Sequence, residues 1–534
     1  MAWGILEPKS RPAHVPATVL LEDTPEVAAH HEHLKKITHR GETIILVPQP
    51  SDDPNDPLNW SLLQRDLIFL LYATCTILTI GGIGPIISPI AYELTVLFNV
   101  SFTKVSLLTG YSLLATACFG IVVSPTARKY GRRFPLIFSM CCAFAGCLWG
   151  GYAESYNSLL GARIVQGLCV CMFESLNFVI VGDLYYVHER GIRVALVTTS
   201  IIGVGALPPV VSGKVATDLG WRWIFWLLAI FMGLALVGTV FFGFETAYNR
   251  KAIYNTDMAS QDRVRKDEHD GKGDDIAKTE TVASSRIPRK TYLGRLKPWS
   301  GSYSPAPFWR LTIQPFLILW NPVAVWAVVL FAFPVFWLVA FNLLIAQIFS
   351  APPYLLNTAE LGYMSAGAVV GGILSSMLCA AVSDPMIEFF ARRNGGIYEP
   401  EFRLFLIIPA LILTIVAYFP FGYMIRDGKS PAAISTMYGV ATAAGQTCMA
   451  VVGAYAVDGY RDISVEIFVL TMIIKNFLFY GFSYFINDWI ARWGTVKFFC
   501  TVGAIQAATC LTTVPLYVFG KKLRFWWHSS RVNA

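Results

Sequence analysis

Residues 222–244 read RWIFWLLAIFMGLALVGTVFFGF, and this stretch decides the fold class. No charged residue follows Arg222 until Glu245. Roughly 20 apolar residues are enough to carry an α-helix across the hydrocarbon core of a bilayer. A helix satisfies every backbone polar group within its own segment, which the membrane interior requires. The stretch is therefore predicted to be a transmembrane helix.

The rest of the chain repeats this pattern, so we predict an all-α membrane protein with twelve transmembrane helices. Hydrophobic residues make up 55% of the 534 residues and charged residues 14%. A soluble domain carries about 25% charge. The mean hydropathy is +0.52. We number the apolar stretches span 1 to span 12, with predicted bounds 66–90, 104–126, 134–153, 157–182, 193–215, 222–244, 321–347, 361–383, 403–425, 431–456, 463–487 and 496–519.

A long polar segment separates span 6 from span 7, which predicts two bundles of six helices. This segment mixes both charges with Gly and Ser, a composition typical of disorder, although Phe308 to Leu319 is predicted to lie on the inner membrane surface. The predicted domains are an N-terminal tail (1–65), a first six-helix bundle (66–244), a largely disordered central loop (245–320), a second six-helix bundle (321–519) and a C-terminal tail (520–534).

Basic residues set the predicted orientation. Lys and Arg concentrate in the loops after spans 2, 4, 6 and 8 and after span 12, and such loops are usually cytoplasmic. Both termini and the central loop are therefore predicted to be cytoplasmic in a multi-pass plasma-membrane protein. This bias also explains the formal net charge of +7 without nucleic-acid binding. Asn99-Val-Ser101 is a glycosylation sequon in the first predicted external loop.

Several other classes of protein are disfavoured by what the sequence contains. All eleven cysteines fall inside predicted spans, where they are expected to pack as small apolar residues. We identify no nucleophile, acid–base cluster or metal-ligand spacing, and no phosphate-binding loop. The prediction is a protein that is not an enzyme, with no metal and no cofactor.

Span 4 carries the most informative polar residues. Arg163, Gln166, Val170, Glu174 and Asn177 are spaced by three or four residues, so they share one helix face. Arg163 and Glu174 are about 16 Å apart along the axis, with Arg163 toward the outside. Burial disfavours the charged form of a carboxyl group, so Glu174 is predicted to exchange a proton during transport. The alternative is an ion pair that only holds helices together.

Span 11 carries Lys475 and Asn476 near its middle, and Tyr480 shares a face with Asn476. Lys475 is either a cation of the cavity, a partner for Glu174 or part of a structural salt bridge. Ionisable groups at this depth usually face a cavity. The residues predicted to line the substrate cavity are Gln166, Asn177, Asn342, Gln446, Lys475, Asn476 and Tyr480.

Small residues predict close packing and one bend. Gly367 and Gly371 are spaced so that two helices can approach closely. Span 5 contains Gly203, Pro208 and Gly213, and glycine and proline weaken a helix, so a bend is expected there.

The loop after span 2 reads Ser-Pro-Thr-Ala-Arg-Lys-Tyr-Gly-Arg-Arg over residues 124–133, and it resembles the cytoplasmic signature of the major facilitator superfamily. Arg128 stands where that signature has an acid. The resemblance implies two six-helix bundles around a central cavity. It also implies a cytoplasmic gate motif that consists of Arg128, Gly131, Arg132 and Arg133.

Within that superfamily the chain is similar to fungal drug:proton antiporters with twelve spans. Arg163-Ile-Val-Gln166-Gly167 matches the span 4 motif of this group, whose arginine is linked to proton coupling. Pro57–Trp60 and Glu399–Arg403 also match, and fungal polyamine and cation permeases share these motifs. The resemblance implies proton coupling through Arg163, and we add Glu174 from its position.

We therefore predict a proton-coupled secondary transporter that exports a small organic compound, such as a drug or secondary metabolite, by alternating access. The alternative is uptake of organic cations or polyamines, and a third possibility is a nutrient sensor with a transporter fold. The expected partners are the substrate, protons and the lipid bilayer, and the protein is expected to be a monomer.

Overall fold

The structure is a computed structural model. It describes residues 4–6, 19–20, 36–39, 42–45, 50–51, 53–186, 189, 193, 196–248, 289–299, 301–394, 397–460 and 463–532.

Within these described residues, twelve helical segments are long and apolar enough to cross a membrane, as predicted. Every predicted span overlaps one of them. The spans run Leu62–Ile83, Phe102–Tyr130, Arg133–Gly151, Tyr156–Leu184, Leu196–Leu219, Trp221–Phe242, Pro322–Phe349, Thr358–Arg393, Pro400–Arg426, Pro431–Gly459, Ser464–Ser483 and Ile486–Trp527. We call the ends that carry the basic loops the predicted inner face and the opposite ends the predicted outer face.

The described residues also contain shorter elements. The short helices outside the spans are Pro57–Asn59, Pro85–Ile87, Ala91–Phe98, Tyr292–Arg295, Phe308–Leu317 and Ile318–Trp320. The strands are β1 (Val19–Leu20), β2 (Lys36–His39), β3 (Glu42–Ile45) and β4 (Ile397–Tyr398). β1 pairs with β4 and β2 pairs with β3, both in antiparallel register.

Span 1 is not one continuous α-helix. It is α-helical over Leu62–Thr76 and π-helical over Ile77–Ile83, and Gly84 then precedes the short turn Pro85–Ile87. Pro85 lacks a backbone N–H and its ring clashes with the preceding turn, so the helical run from Leu62 cannot continue past Gly84. The predicted span of 66–90 is therefore too long at its outer end.

Span 5 bends where its sequence predicts. A π-helical turn over Thr199–Gly203 and a 3-10 turn over Val204–Ala206 precede the α-helix Leu207–Leu219. Span 1 packs on this bend, because a Cβ on Gly81 would lie 2.7 Å from Gly205 Cα. The irregular segments of the two spans therefore meet.

Spans 8 and 10 approach closely at the predicted glycines. A Cβ on Gly367 would lie 1.8 Å from the carbonyl oxygen of Ser435, and one on Gly371 would lie 2.0 Å from that of Gly439. Larger residues at either glycine would force the helices apart.

The final span extends past its predicted end. Gly494, with φ of 75°, breaks the helix Ile486–Leu511, and a further helix runs from Thr513 to Val532. Most of the segment assigned to the C-terminal tail is therefore helical.

The predicted disorder of the central loop falls largely on residues 249–288, which lie outside the described residues. The described residues 289–299 and 301–320 instead include short helices and contacts with the bundles. The amide of Tyr303 donates to the carbonyl of Lys129 at 2.8 Å. The helix Phe308–Leu317 packs against spans 2 and 11 and leaves Trp309 64% exposed. Its place on the inner membrane surface stays a prediction.

The two halves meet along two seams. Span 2 packs against span 11 on one side, and span 5 packs against span 8 on the other. The main core cluster runs through both halves, and a second cluster lies within the C-terminal half around Val323, Tyr455 and Leu516. Polar residues on the seams can therefore respond to relative movement of the halves.

Candidate functional site

The polar face of span 4 reaches the other half of the protein at Glu174. Its carboxylate accepts hydrogen bonds from the ammonium of Lys475 and, at 3.3 Å, from Nδ2 of Asn476, both on span 11. The side chains of Glu174 and Lys475 are 15% and 10% exposed. Lys475 thus pairs with Glu174, which fits two of its three alternatives, the partner of Glu174 and the structural salt bridge. This contact joins the two halves.

Arg163 is fully buried and holds the irregular end of span 1. Its guanidinium donates to the carbonyl oxygens of Ile83 at 2.6 Å and Gly84 at 3.2 Å, and to Oε1 of Gln166 at 2.9 Å. These carbonyls are available because Gly84 and Pro85 interrupt the helix. Arg163 therefore connects span 4 to the break in span 1.

Gln166 and Asn177 form hydrogen bonds within the N-terminal half. Nε2 of Gln166 lies 3.4 Å from Sγ of Cys147, while its oxygen accepts from Arg163. Nδ2 of Asn177 donates to Oγ1 of Thr76 at 2.5 Å. These two residues flank Glu174 and fix span 4 against spans 3 and 1.

Two polar residues predicted for the cavity lie elsewhere in the C-terminal half. Nδ2 of Asn342 donates to the hydroxyl of Tyr438 at 2.7 Å. Nε2 of Gln446 donates to Oγ of Ser376 at 2.9 Å, and Oγ1 of Thr199 on span 5 donates to the same hydroxyl at 2.7 Å. Gln446 is thus linked to the seam opposite Glu174, and sequence reasoning missed Ser376 and Thr199.

Toward the predicted outer face, hydroxyl and amide groups join span 2 to the end of span 11 and the start of span 12. The hydroxyl of Tyr480 lies 2.7 Å from that of Tyr484, which in turn lies 3.1 Å from the hydroxyl of Tyr111. Nδ2 of Asn487 donates to Oγ of Ser106 at 2.7 Å. The halves are therefore in contact on this side of Glu174.

Toward the predicted inner face, Arg128 closes the same seam. Its guanidinium lies 2.6 Å from Oε1 of Glu466 at the start of span 11, and Glu466 is 2% exposed. Where the superfamily signature has an acid, this chain places a cation against an acid of the other half. Sequence reasoning missed Glu466 because 338 residues separate the partners.

We expect the opposite charges of this pair to matter more than which of the two residues carries which charge. Arg128→Glu would place two carboxylates together, costing between the ~1 kcal/mol of an exposed pair and the roughly 3–5 kcal/mol of a buried one. Transport should fall in Arg128→Glu and recover in Arg128→Glu/Glu466→Arg. The measurement is transport at equal surface abundance, and a double variant no better than either single variant would contradict the pairing.

The remaining gate-motif residues bind within the N-terminal half. The backbone amides of Arg132 and Arg133 donate to the Glu245 carboxylate at 2.9–3.1 Å, and the Arg132 side chain contacts Asp183. Gly131 has φ of 95°, and a Cβ there would lie 2.4 Å from Glu245 Oε2. The motif is therefore anchored to the ends of spans 4 and 6.

The C-terminal half has a similar anchor for a loop, in which the acidic and basic residues exchange places. Arg524 on the last helix pairs with Glu399 at 2.9 Å and Glu401 at 2.7 Å, and all three side chains are at most 1% exposed. Lys521 also pairs with Glu399, at 2.6 Å. In the N-terminal half the acid Glu245 follows the last span and accepts from the loop after span 2. In the C-terminal half the base Arg524 lies on the last helix, and its partners Glu399 and Glu401 lie near the start of span 9. The motif Glu399–Arg403 did not itself indicate Arg524 as a partner, because Arg524 lies 123 residues from Glu401.

Asn99 lies on the predicted outer side, exposed, at the end of the helix Ala91–Phe98. If this face is extracellular, Asn99→Gln should remove any glycan and increase electrophoretic mobility, as enzymatic deglycosylation would. Ser101→Ala should have the same effect, because it also destroys the sequon. A glycan that persists in both variants would place the modification elsewhere.

Within the described residues, twelve candidate membrane spans in two halves joined by polar contacts are the architecture of a multi-pass membrane protein. The chain belongs to the Major Facilitator Superfamily, whose family model matches residues 69–462. The prediction of the fold and of a non-enzymatic protein is confirmed.

The curated relatives are distant, and two of them span nearly the whole chain. An uncharacterized MFS-type transporter of Schizosaccharomyces pombe is 24% identical, over 98% of this chain and 94% of the relative. Protein HOL1 of Saccharomyces cerevisiae is 24% identical, over 98% of both chains. A probable efflux pump, mfs2 of Aspergillus flavus, is 21% identical, over 76% of this chain and 89% of the relative.

Among solved structures, the proton:xylose symporter XylE bound to 6-bromo-6-deoxy-D-glucose matches with a TM-score of 0.56. The identity is 16%, and the match covers 88% of this chain and 100% of that chain. At this identity the likeness concerns the fold alone.

Proposed function

We propose that the protein is a proton-coupled secondary transporter that exports a small organic compound by alternating access. The observation that carries this proposal is the contact of Glu174 with Lys475 and Asn476, which places a titratable acid between the two halves. Arg163, Gln166, Asn177, Asn342, Gln446 and Tyr480 are proposed as the supporting polar residues of the transport pathway.

Protonation of Glu174 would remove its attraction for Lys475. The neutral acid can still form hydrogen bonds, but its ion pair with the ammonium is lost, and that pair helps to hold span 4 against span 11. Since buried ion pairs lose several kcal/mol when one partner is neutralised, a single proton can shift the balance between two arrangements of the halves. A substrate that occupies the same position would compete with the proton.

The direction of transport is also a proposal. Export is supported by the name of the Aspergillus flavus relative, a probable efflux pump, and by the resemblance to drug:proton antiporters. The ion pair itself argues against a polycation as substrate, because Lys475 already neutralises Glu174.

The experiment is a growth screen with a deletion strain and an overexpressing strain. An exporter makes the deletion strain hypersensitive to a compound and the overexpressing strain resistant. The purified protein in proteoliposomes should then move that compound when a pH gradient is imposed. Greater sensitivity on overexpression would indicate uptake and contradict export.

We also propose that the protein is a monomer in the plasma membrane. The distribution of Lys and Arg supports the proposal that both termini lie in the cytoplasm. Epitope tags at the N-terminus, near residue 275 and at the C-terminus should be unreactive to antibody in intact cells and reactive after permeabilisation. A tag inserted after residue 428, on the predicted outer side, is the positive control. Labelling of any terminal or central tag in intact cells would contradict the orientation.

A further inference from the structure

The first residues of the chain lie on the C-terminal half, although they precede the N-terminal half in sequence. Ile5 is 1% exposed. The amide of Leu6 donates to the carbonyl oxygen of Val518 at 3.0 Å, on the helix Thr513–Val532. An apolar side chain this deeply buried indicates a packed contact rather than a loose tail.

A second contact lies further along the same segment. β1 adds an antiparallel strand to β4 in the loop between spans 8 and 9, with Val19 opposite Tyr398 and Leu20 opposite Ile397. An extended segment that pairs with an exposed strand edge is a common mode of peptide recognition. The loop thus receives main-chain hydrogen bonds from the N-terminal segment.

Just before span 1 the chain is anchored on the N-terminal half instead. The hydroxyl of Tyr186 donates to the carbonyl of Leu58 at 3.2 Å, and the rings of Trp60 and Phe244 are 6.3 Å apart. Outside the antiparallel pair β2–β3, about 20 residues between 20 and 50 can extend, which gives a reach of roughly 70 Å. This length leaves the two halves free to move, so the docked segment acts within the C-terminal half.

The docking surface adjoins the buried charge cluster of that half. The hydroxyl of Tyr398 donates to Oδ2 of Asp458 at 2.5 Å and accepts from Nε of Arg403 at 3.1 Å. Glu399 follows directly and pairs with Arg524. Burial and the neighbouring Asp458 carboxylate raise the pKa of Tyr398, which keeps its hydroxyl a donor. Covering this loop keeps water away from ion pairs whose strength depends on low dielectric.

We propose that β4 and the Val518 region form a docking surface whose occupant is the chain's own N-terminal segment. Docking clamps the loop between spans 8 and 9 to the last helix, and so stabilises the inner end of the C-terminal half. Attachment to the same chain gives the segment a high effective concentration, which compensates for its small contact area. The inference does not depend on the substrate or on the direction of transport.

The first test is cross-linking in the full chain. Leu20→Cys/Ile397→Cys should form a disulfide quickly under copper phenanthroline, because the two positions face each other in register. Cleavage at a protease site inserted near residue 28 then reports whether the fragments remain joined. Leu20→Cys/Lys290→Cys, with its second cysteine on the N-terminal half, is the matched control. Equal rates in the two variants would overturn the proposal.

The second test supplies the segment separately. A fluorescent peptide of residues 1–22 should bind saturably to a variant that lacks residues 2–20 and at least ~10-fold more weakly to the full chain, whose own segment occupies the surface. The peptide with Ile5→Asp should also bind at least ~10-fold more weakly, since a carboxylate would enter a buried apolar position. Peptide binding should raise the melting temperature of the truncated variant. Equal affinity of both peptides would contradict docking.

Discussion

Glu174→Gln is expected to abolish pH-driven transport while substrate binding and substrate exchange persist. The amide resembles the protonated acid in shape and can still accept a hydrogen bond from Lys475 or Asn476, both within reach of the native carboxylate. It cannot release a proton. A variant locked in this form should exchange substrate across the membrane without responding to a pH gradient.

Transport at two external pH values, normalised to surface abundance, separates this role from a structural one. Glu154→Gln is the matched control, because Glu154 is exposed in the loop between spans 3 and 4. If Glu174 only holds helices together, Glu174→Gln should reach the surface poorly, and its residual transport should keep the normal pH response. A normal pH response in Glu174→Gln protein that is folded and at the surface would show that Glu174 does not couple transport to protons.

Arg163→Ala should have the second large effect, a loss of proton-driven transport with folded protein still at the membrane. The change removes three hydrogen bonds from a fully buried cation, and each such bond contributes about 1.5–3 kcal/mol. The carbonyls of Ile83 and Gly84 lose their donor, so the broken end of span 1 is no longer tied to span 4. We expect at least a tenfold fall in transport. A change of about 1.4 kcal/mol in the free-energy difference between two arrangements of the halves already changes their ratio tenfold.

Two further variants define the role of Arg163. Arg163→Lys keeps the charge but cannot span both carbonyls and Gln166, so intermediate transport is expected. Arg222→Ala is the control, since Arg222 donates to one carbonyl, that of Ala153, at 3.3 Å. Undiminished transport by Arg163→Ala at equal surface abundance would count against the proposed coupling role.

Much of the fold could be predicted because the membrane imposes a simple length rule. Apolar runs of the required length predicted all twelve spans, and the polar segment after span 6 predicted the two halves. The break in span 1 was missed although residues 81–85 read Gly-Gly-Ile-Gly-Pro, because the stretch around them is otherwise apolar. Only the contact with Gly205 and the bonds of Arg163 to Ile83 and Gly84 reveal why an irregular turn is retained there.

The candidate site could be predicted in part. Helical spacing on span 4 predicted one shared face for Arg163, Gln166, Glu174 and Asn177. Their hydrogen bonds reach span 1, span 3 and span 11. The spacing could not select Lys475 as the partner of Glu174, because that choice depends on which spans meet across the seam. The pairs Arg128–Glu466 and Glu401–Arg524 were missed for the same reason, since their members are 338 and 123 residues apart.

Opposite charge patterns in the two halves follow from these distant pairs. In the first half the Glu245 carboxylate accepts from backbone amides of the loop after span 2, whereas in the second half Arg524 donates to the carboxylates of Glu399 and Glu401. Both arrangements fix a loop to the last helix of its bundle. Each half can therefore move as a rigid unit while the contacts between the halves, such as Glu174–Lys475, change.

The central claim is that a proton acts at the contact between Glu174 and Lys475, and proton movement during transport tests it most directly. Proteoliposomes containing a pH-sensitive dye and no imposed pH gradient are given a gradient of the exported compound. The wild-type protein should move protons against the flow of substrate, and Glu174→Gln should move substrate by exchange with no change in pH. Substrate flux by the wild-type protein without proton movement, or equal proton movement by both proteins, would contradict the account.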